Sequence, residues 1–168
     1  MRPVISALAG VLVIAACASA QKPSTAGQMD ILSAQDMLED CLMRSEGQPR
    51  SDAAACNGRY AQACMRFRPD GETTVGMVRC VIEETEAWDN QLNAGYQVLM
   101  ARYEGQSAYE ELRSAQRAWI TFRDADCTAA MAAWEGGSIA QIMHAQCMLD
   151  HTANRTLDLR GRIADVPG

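Results

Sequence analysis

A chain of 168 residues is long enough for one domain with a modest core. Its 48% hydrophobic content and five prolines exclude a disordered chain, and abundant Ala, Met, Leu, Gln and Glu beside two Phe favour helix over strand. Fifteen basic side chains against 21 acidic ones give a net charge of −6, which argues against nucleic acid, whose phosphates need a basic face.

The chain opens on a targeting segment, residues 1–20. Arg2 supplies a positive start, and "VISALAGVLVIAA" is an apolar run too short to span a bilayer comfortably. Two exits compete. "IAAC" ending at Cys17 reads as a lipobox whose cysteine is lipidated, and "ASA" before Gln21 fits an ordinary small-residue cleavage site. Residues 21–30 then form a flexible polar tether. A membrane association is expected only through that lipid anchor. Loss of residues 1–20 removes Arg2 alone, so 14 basic and 21 acidic side chains remain, net −7.

Helix punctuation is legible from there on. A first helix runs over Ser33–Arg44, with Met37, Leu38, Cys41 and Leu42 on one side. Gly47 and Pro49 break it, and a second helix is expected over about Asp52–Phe67. "RPDGETT" is a turn with Thr73 or Thr74 as cap. A long third helix follows, about Val75–Tyr103, with Val81, Trp88, Leu92, Tyr96, Leu99 and Tyr103 as its apolar stripe. "SAYE" at Ser107–Glu110 reads as a capping box opening a fourth helix, with Leu112, Ala115, Trp119 and Phe122 at core spacing. "EGG" stops it. "SIAQ" at Ser138–Gln141 opens a fifth helix that ends near Leu159 at Gly161. The expected fold is all-α: a small antiparallel bundle of about five helices.

Six cysteines remain after Cys17 is set aside, and in an oxidising compartment six read as three disulfides. Buried free thiols are the competing reading. Three turns are each flanked by a pair, Cys41/Cys56, Cys64/Cys80 and Cys127/Cys147, which antiparallel helices bring to similar height. Cys56 with Cys64 is the rival by proximity. Eight residues of continuous helix span about 12 Å, against the ~7 Å between Cα atoms that a disulfide tolerates. A real second helix therefore excludes that rival.

The second half carries a distinctive layout. It reads Cys80, Trp88, Asp89, Leu92, Asn93 and Tyr96, then "LRSAQRAWITFRDADC" over Leu112–Cys127, "GGS" at Gly136–Ser138, Cys147, Thr152 and Arg155. This resembles the LprI-type lysozyme inhibitor family over about residues 64–160. Residues 31–63 then form an N-terminal helical extension holding Cys41 and Cys56, and residues 161–168 a tail. The resemblance implies an exported, disulfide-bonded helical domain of the bacterial envelope, periplasmic or anchored to the outer membrane. In named members it implies inhibition of lysozymes.

The charged motif residues have two readings. Arg117, Arg123 and Asp124, with Gln116 beside them, either engage a partner or tie helices together, with Asp89 and Arg155 as ion-pair partners. The second is preferred, because they interleave with Trp119 and Phe122; removal of Arg117 or Asp124 is then expected to lower the melting temperature. Trp88 and Trp119 read as core anchors, and Asn93 and Tyr96 as helix-face packing. Trp134, Glu135, Gly136, Gly137 and Ser138 form a candidate contact loop, with Asp70-Gly71-Glu72 as the other. His144 and His151 without matched carboxylates or thiolates make a poor zinc site, so no metal and no cofactor are expected. No Ser-His-Asp set, phosphate loop or HExxH appears; the acidic residues on helices read as a solvated face, and the pair Glu83/Glu84 has no partner that suggests raised acidity. The leading expectation is a non-enzymatic inhibitor that binds a basic lysozyme. The alternative is an envelope module that binds peptidoglycan or another envelope protein without inhibition.

Overall fold

The computed structural model describes residues 32–165; the targeting segment, Cys17 and the tether lie outside the described residues. Six helices follow one another: α1 (Ala34–Arg44), α2 (Arg50–Ala54), α3 (Arg59–Phe67), α4 (Thr74–Arg102), α5 (Ser107–Ala132) and α6 (Ser138–Asp165). Among the described residues none is in a strand, and no helix is long and apolar enough to cross a membrane.

The single second helix expected over 52–67 is two. The chain turns at Gly58, whose φ of 82° is left-handed and open to glycine at little cost. Cys56 lies in that turn, so no continuous helix holds Cys56 and Cys64 apart. The sulfurs nonetheless pair as Cys41–Cys56, Cys64–Cys80 and Cys127–Cys147, with Cα atoms 5.9, 5.6 and 5.4 Å apart. Their separations of 15, 16 and 20 residues are worth about 3 kcal/mol each through restriction of the unfolded chain.

Other boundaries follow local chemistry. Ser33 caps α1 by accepting from the Asp36 N–H at 3.1 Å, and Thr73 caps α4 by accepting from Gly76 at 3.0 Å. Any side chain at Gly76 would collide with the Asp70 carbonyl, so the α3–α4 corner is closed to larger residues. The expected capping box at Ser107 is not made: Gln106 occupies the cap position without a side-chain bond, and Ser107 is already helical. Gly161 does not stop α6, which continues to Asp165; a glycine costs a helix interior about 1 kcal/mol, and packing against α4 outweighs it.

The long helices alternate in direction, so α4 and α6 run the same way and share the most extensive interface. Contacts climb together along it. Thr156 Oγ1 donates to the Trp88 carbonyl at 3.1 Å, Gly95 lies against Leu159 and Ile163, and Arg102 donates to the Ile163 carbonyl at 2.6 Å. One core joins α1 and α3 to the first half of α4 and the middle of α6 through Leu38, Leu42, Tyr60, Val81, Trp88, Leu149 and Leu157. Helices α1 and α3 are thus integral to the main core. A smaller core of Leu92, Leu99, Leu112 and Leu159 closes the end where α4 meets α5.

Helix α5 is attached differently. The expected stripe Leu112, Ala115, Trp119, Phe122 is not its inner face: Ala115 is exposed and Phe122 is 57% exposed. The inner face is Leu112, Gln116, Trp119, Arg123 and Cys127, with polar Gln116 and Arg123 in place of Ala115 and Phe122. Both stripes have helical spacing. Only the position of α6 selects between them.

Candidate functional site

The seam between α5 and α6 gathers four of the motif residues, Gln116, Trp119, Arg123 and Arg155. Arg155 is 8% exposed, and its Nε donates to Gln116 Oε1 at 3.0 Å. Its guanidinium lies 5.9 Å from the Trp119 ring centre, and Arg123 approaches the same ring at 5.0 Å. Burial pushes the Arg155 guanidinium below its ordinary value; Arg162 adds to the push and Asp158 partly opposes it. Among the described residues no carboxylate pairs with Arg155.

The expected interhelical ion pairs are therefore replaced. Asp124 is bound by its neighbour Arg123 at 2.8 Å, Asp89 accepts from Asn93 at 2.8 Å, and Arg117 is exposed with no ion pair among the described residues. Spacing made Arg117 and Asp124 share a face, but that face looks away from α6. Thr152 is buried and donates to the Met148 carbonyl at 2.7 Å. Trp88 is fully buried; Asn93 is exposed and Tyr96 half-buried.

Glu83 and Glu84 form no solvated face. Glu84 is 1% exposed and accepts from the backbone N–H of Gly58 at 2.6 Å and Ala61 at 2.7 Å, with the Trp88 indole at 3.3 Å. It caps α3 from another helix, because Gly58 has no side chain to do so. Burial raises its pKa against the lowering effect of those bonds. Glu83 holds Tyr60 at 2.5 Å and Arg68 at 2.7 Å. Burial pushes Glu83 up, but the two hydrogen bonds outweigh it and hold its carboxyl below the usual value. The Tyr60 phenol is pushed up to about 12 by burial and by Glu83. Sequence reasoning missed Glu84; its signal was a helix start at Gly58 with no capping side chain.

His144 and His151 separate across α5. His144 lines a groove, while His151 lies 2.8 Å from Asp126 and edge-on to Phe122. Cys127, Cys147 and His151 place three ligand-type atoms together, but the disulfide occupies both sulfurs and leaves one imidazole.

The groove has a volume of about 700 Å³ and is bounded by α4 and α5 with α6 as its floor. It opens because α4 and α5 meet near Leu99 and Leu112 and diverge toward the other end. The α5–α6 corner adjoins that open end. Its residues Trp134 to Ser138 are all exposed, Trp134 by 47%, with left-handed backbone at Glu135 and Gly136. The other loop candidate differs: Gly71 is buried and Asp70 is bound to Arg79.

The model of the family described as lysozyme inhibitor LprI matches residues 64–159. The chain belongs to the LprI family. A curated relative, an uncharacterised protein of Rhizobium meliloti, is 30% identical over 93 residues, covering 48% of this chain and 67% of the other. No solved structure matches. The LprI match begins within α3 and takes in α4, α5 and most of α6, so it contains the α5–α6 seam, two of the three disulfides and every residue of the groove.

Proposed function

We propose that this protein is an exported inhibitor of lysozyme in the bacterial envelope, acting by protein–protein binding without catalysis. The LprI family match over the three long helices carries this reading. Three disulfides and an apolar targeting segment suit an oxidising compartment outside the cytoplasm. Anchoring through a lipid on Cys17 and release as a soluble periplasmic form are its two routes; the intact mass of the mature protein decides between them.

The physics favours a rigid acidic binder. A stapled bundle loses little conformational entropy on docking, and net negative charge steers it toward basic animal lysozymes. The exposed corner Trp134–Ser138 supplies an aromatic anchor and an acid at the end where the groove opens. Titration of the purified protein against hen and human lysozyme tests the reading. Loss of muramidase activity at near-stoichiometric inhibitor is expected; full activity at micromolar excess rejects it for those enzymes.

A further inference from the structure

We propose that the α4–α5–α6 groove is the recognition surface for lysozyme, and that it takes a segment pairing a cationic side chain with an apolar one. The proposal rests on the inhibitor reading above and names its surface.

The groove is divided along its length. Val78, Ile82, Met131 and Met148 make one part apolar, and Glu86 and Asp89 line the part further along α4. Ile82 is 46% exposed and Met131 is exposed with it, so apolar surface faces water at the groove wall. Ile82, Glu86 and Asp89 follow at helical steps of four and three. Their Cα atoms therefore climb one wall about 6 and 10 Å beyond Ile82.

The acids are available. Among the described residues no cation pairs with Glu86 or Asp89; Asp89 accepts only from uncharged Asn93. The cation opposite is Arg123, which is already bound to Asp124 and laid over Trp119. His144 on the floor adds an imidazole. A protein cation entering between Glu86 and Asp89 gains two carboxylates, while its apolar neighbour covers Ile82 and Met131. A second copy of this chain fits worse, because both copies are acidic.

The test is calorimetric titration of the full mature protein with hen lysozyme. The variants are the double charge reversal Glu86→Lys/Asp89→Lys, its neutral counterpart Glu86→Gln/Asp89→Asn, and Ile82→Asp. The expected result is at least tenfold weaker binding for the reversal and for Ile82→Asp at unchanged melting temperature. The neutral pair is expected to flatten the salt dependence of Kd. Wild-type binding that all three variants retain overturns the groove and leaves the inhibitor reading standing. Absence of wild-type binding overturns both. Self-association of the wild type that the same variants abolish assigns the groove to a second copy and overturns the proposal.

Discussion

Two interfaces in this molecule are built on opposite principles. Where α1, α3, α4 and α6 meet, apolar side chains interlock and two disulfides cross the layer. Where α5 meets α6, a buried arginine, a glutamine and a partly buried tryptophan take the place of a leucine core. The first interface gains stability from burial, a driving force without direction of its own. The second gains specificity, because a hydrogen bond between Arg155 and Gln116 is satisfied in one alignment only. The groove follows from the second: a helix held by a narrow seam leaves its flank open beside α4.

The largest effect to separate the two regions is truncation of their tryptophans. Trp88→Ala is expected to cost about 3–5 kcal/mol, because the ring is fully buried. Trp119→Ala is expected to cost clearly less, and thermal unfolding of the two variants reads the gap. Equal costs would mean that the seam packs as a core.

Next is the staple on α5. Replacement of Cys127 and Cys147 together by alanine is expected to cost about 3 kcal/mol. It is also expected to speed hydrogen exchange in the second half of α5 beyond that in α4. Uniform acceleration would show that α5 needs no separate tether.

Adjacent residues sharpen the same contrast. Gln116→Leu strands the buried Arg155 Nε and is expected to cost about 2 kcal/mol. Arg117→Ala, one residue along, is expected to change stability by less than about 0.5 kcal/mol, against what the sequence suggested. Chemical denaturation midpoints check both.

The smallest effect lies within the first region, where neighbouring carboxyls are shifted in opposite directions. Glu84 has a raised pKa, so its contribution is fully present below the ordinary carboxyl value and lost as pH rises through its own. Glu83 has a lowered pKa, so its contribution is present above the ordinary value and lost as pH falls through its own. The stability difference between wild type and Glu84→Gln is expected to change above about pH 4.3, shrinking as pH rises. That for Glu83→Gln is expected to change below about pH 4.3, shrinking as pH falls. Unfolding free energies measured from pH 3 to 7 decide both signs.

Much of this was legible in the residues. The long helices are written as periodic apolar stripes, so Val81, Trp88, Leu92 and Leu99 are found where α4 buries them. Cysteine positions around three turns anticipate which sulfurs meet. Gly161 sits inside α6, where contact with α4 outweighs the local stop signal, whereas the helix over 52–67 breaks at Gly58, itself a local signal. Glu84 was missed because it caps a helix start at Gly58 that a continuous helix over 52–67 leaves no room for.

The groove and the seam mark the division. Sequence by itself determined that the chain is helical, acidic and cysteine-paired, because periodicity, charge and composition are local properties that every neighbour shares. Which face of α5 turns inward was decided by the tertiary structure. Leu112-Ala115-Trp119-Phe122 and Leu112-Gln116-Trp119-Arg123 are both sound helical stripes. Cys147 and Arg155 on α6 hold the second one inward. That rotation turns Gln116 and Arg123 inward, exposes Phe122, and leaves Glu86 and Asp89 facing an open groove.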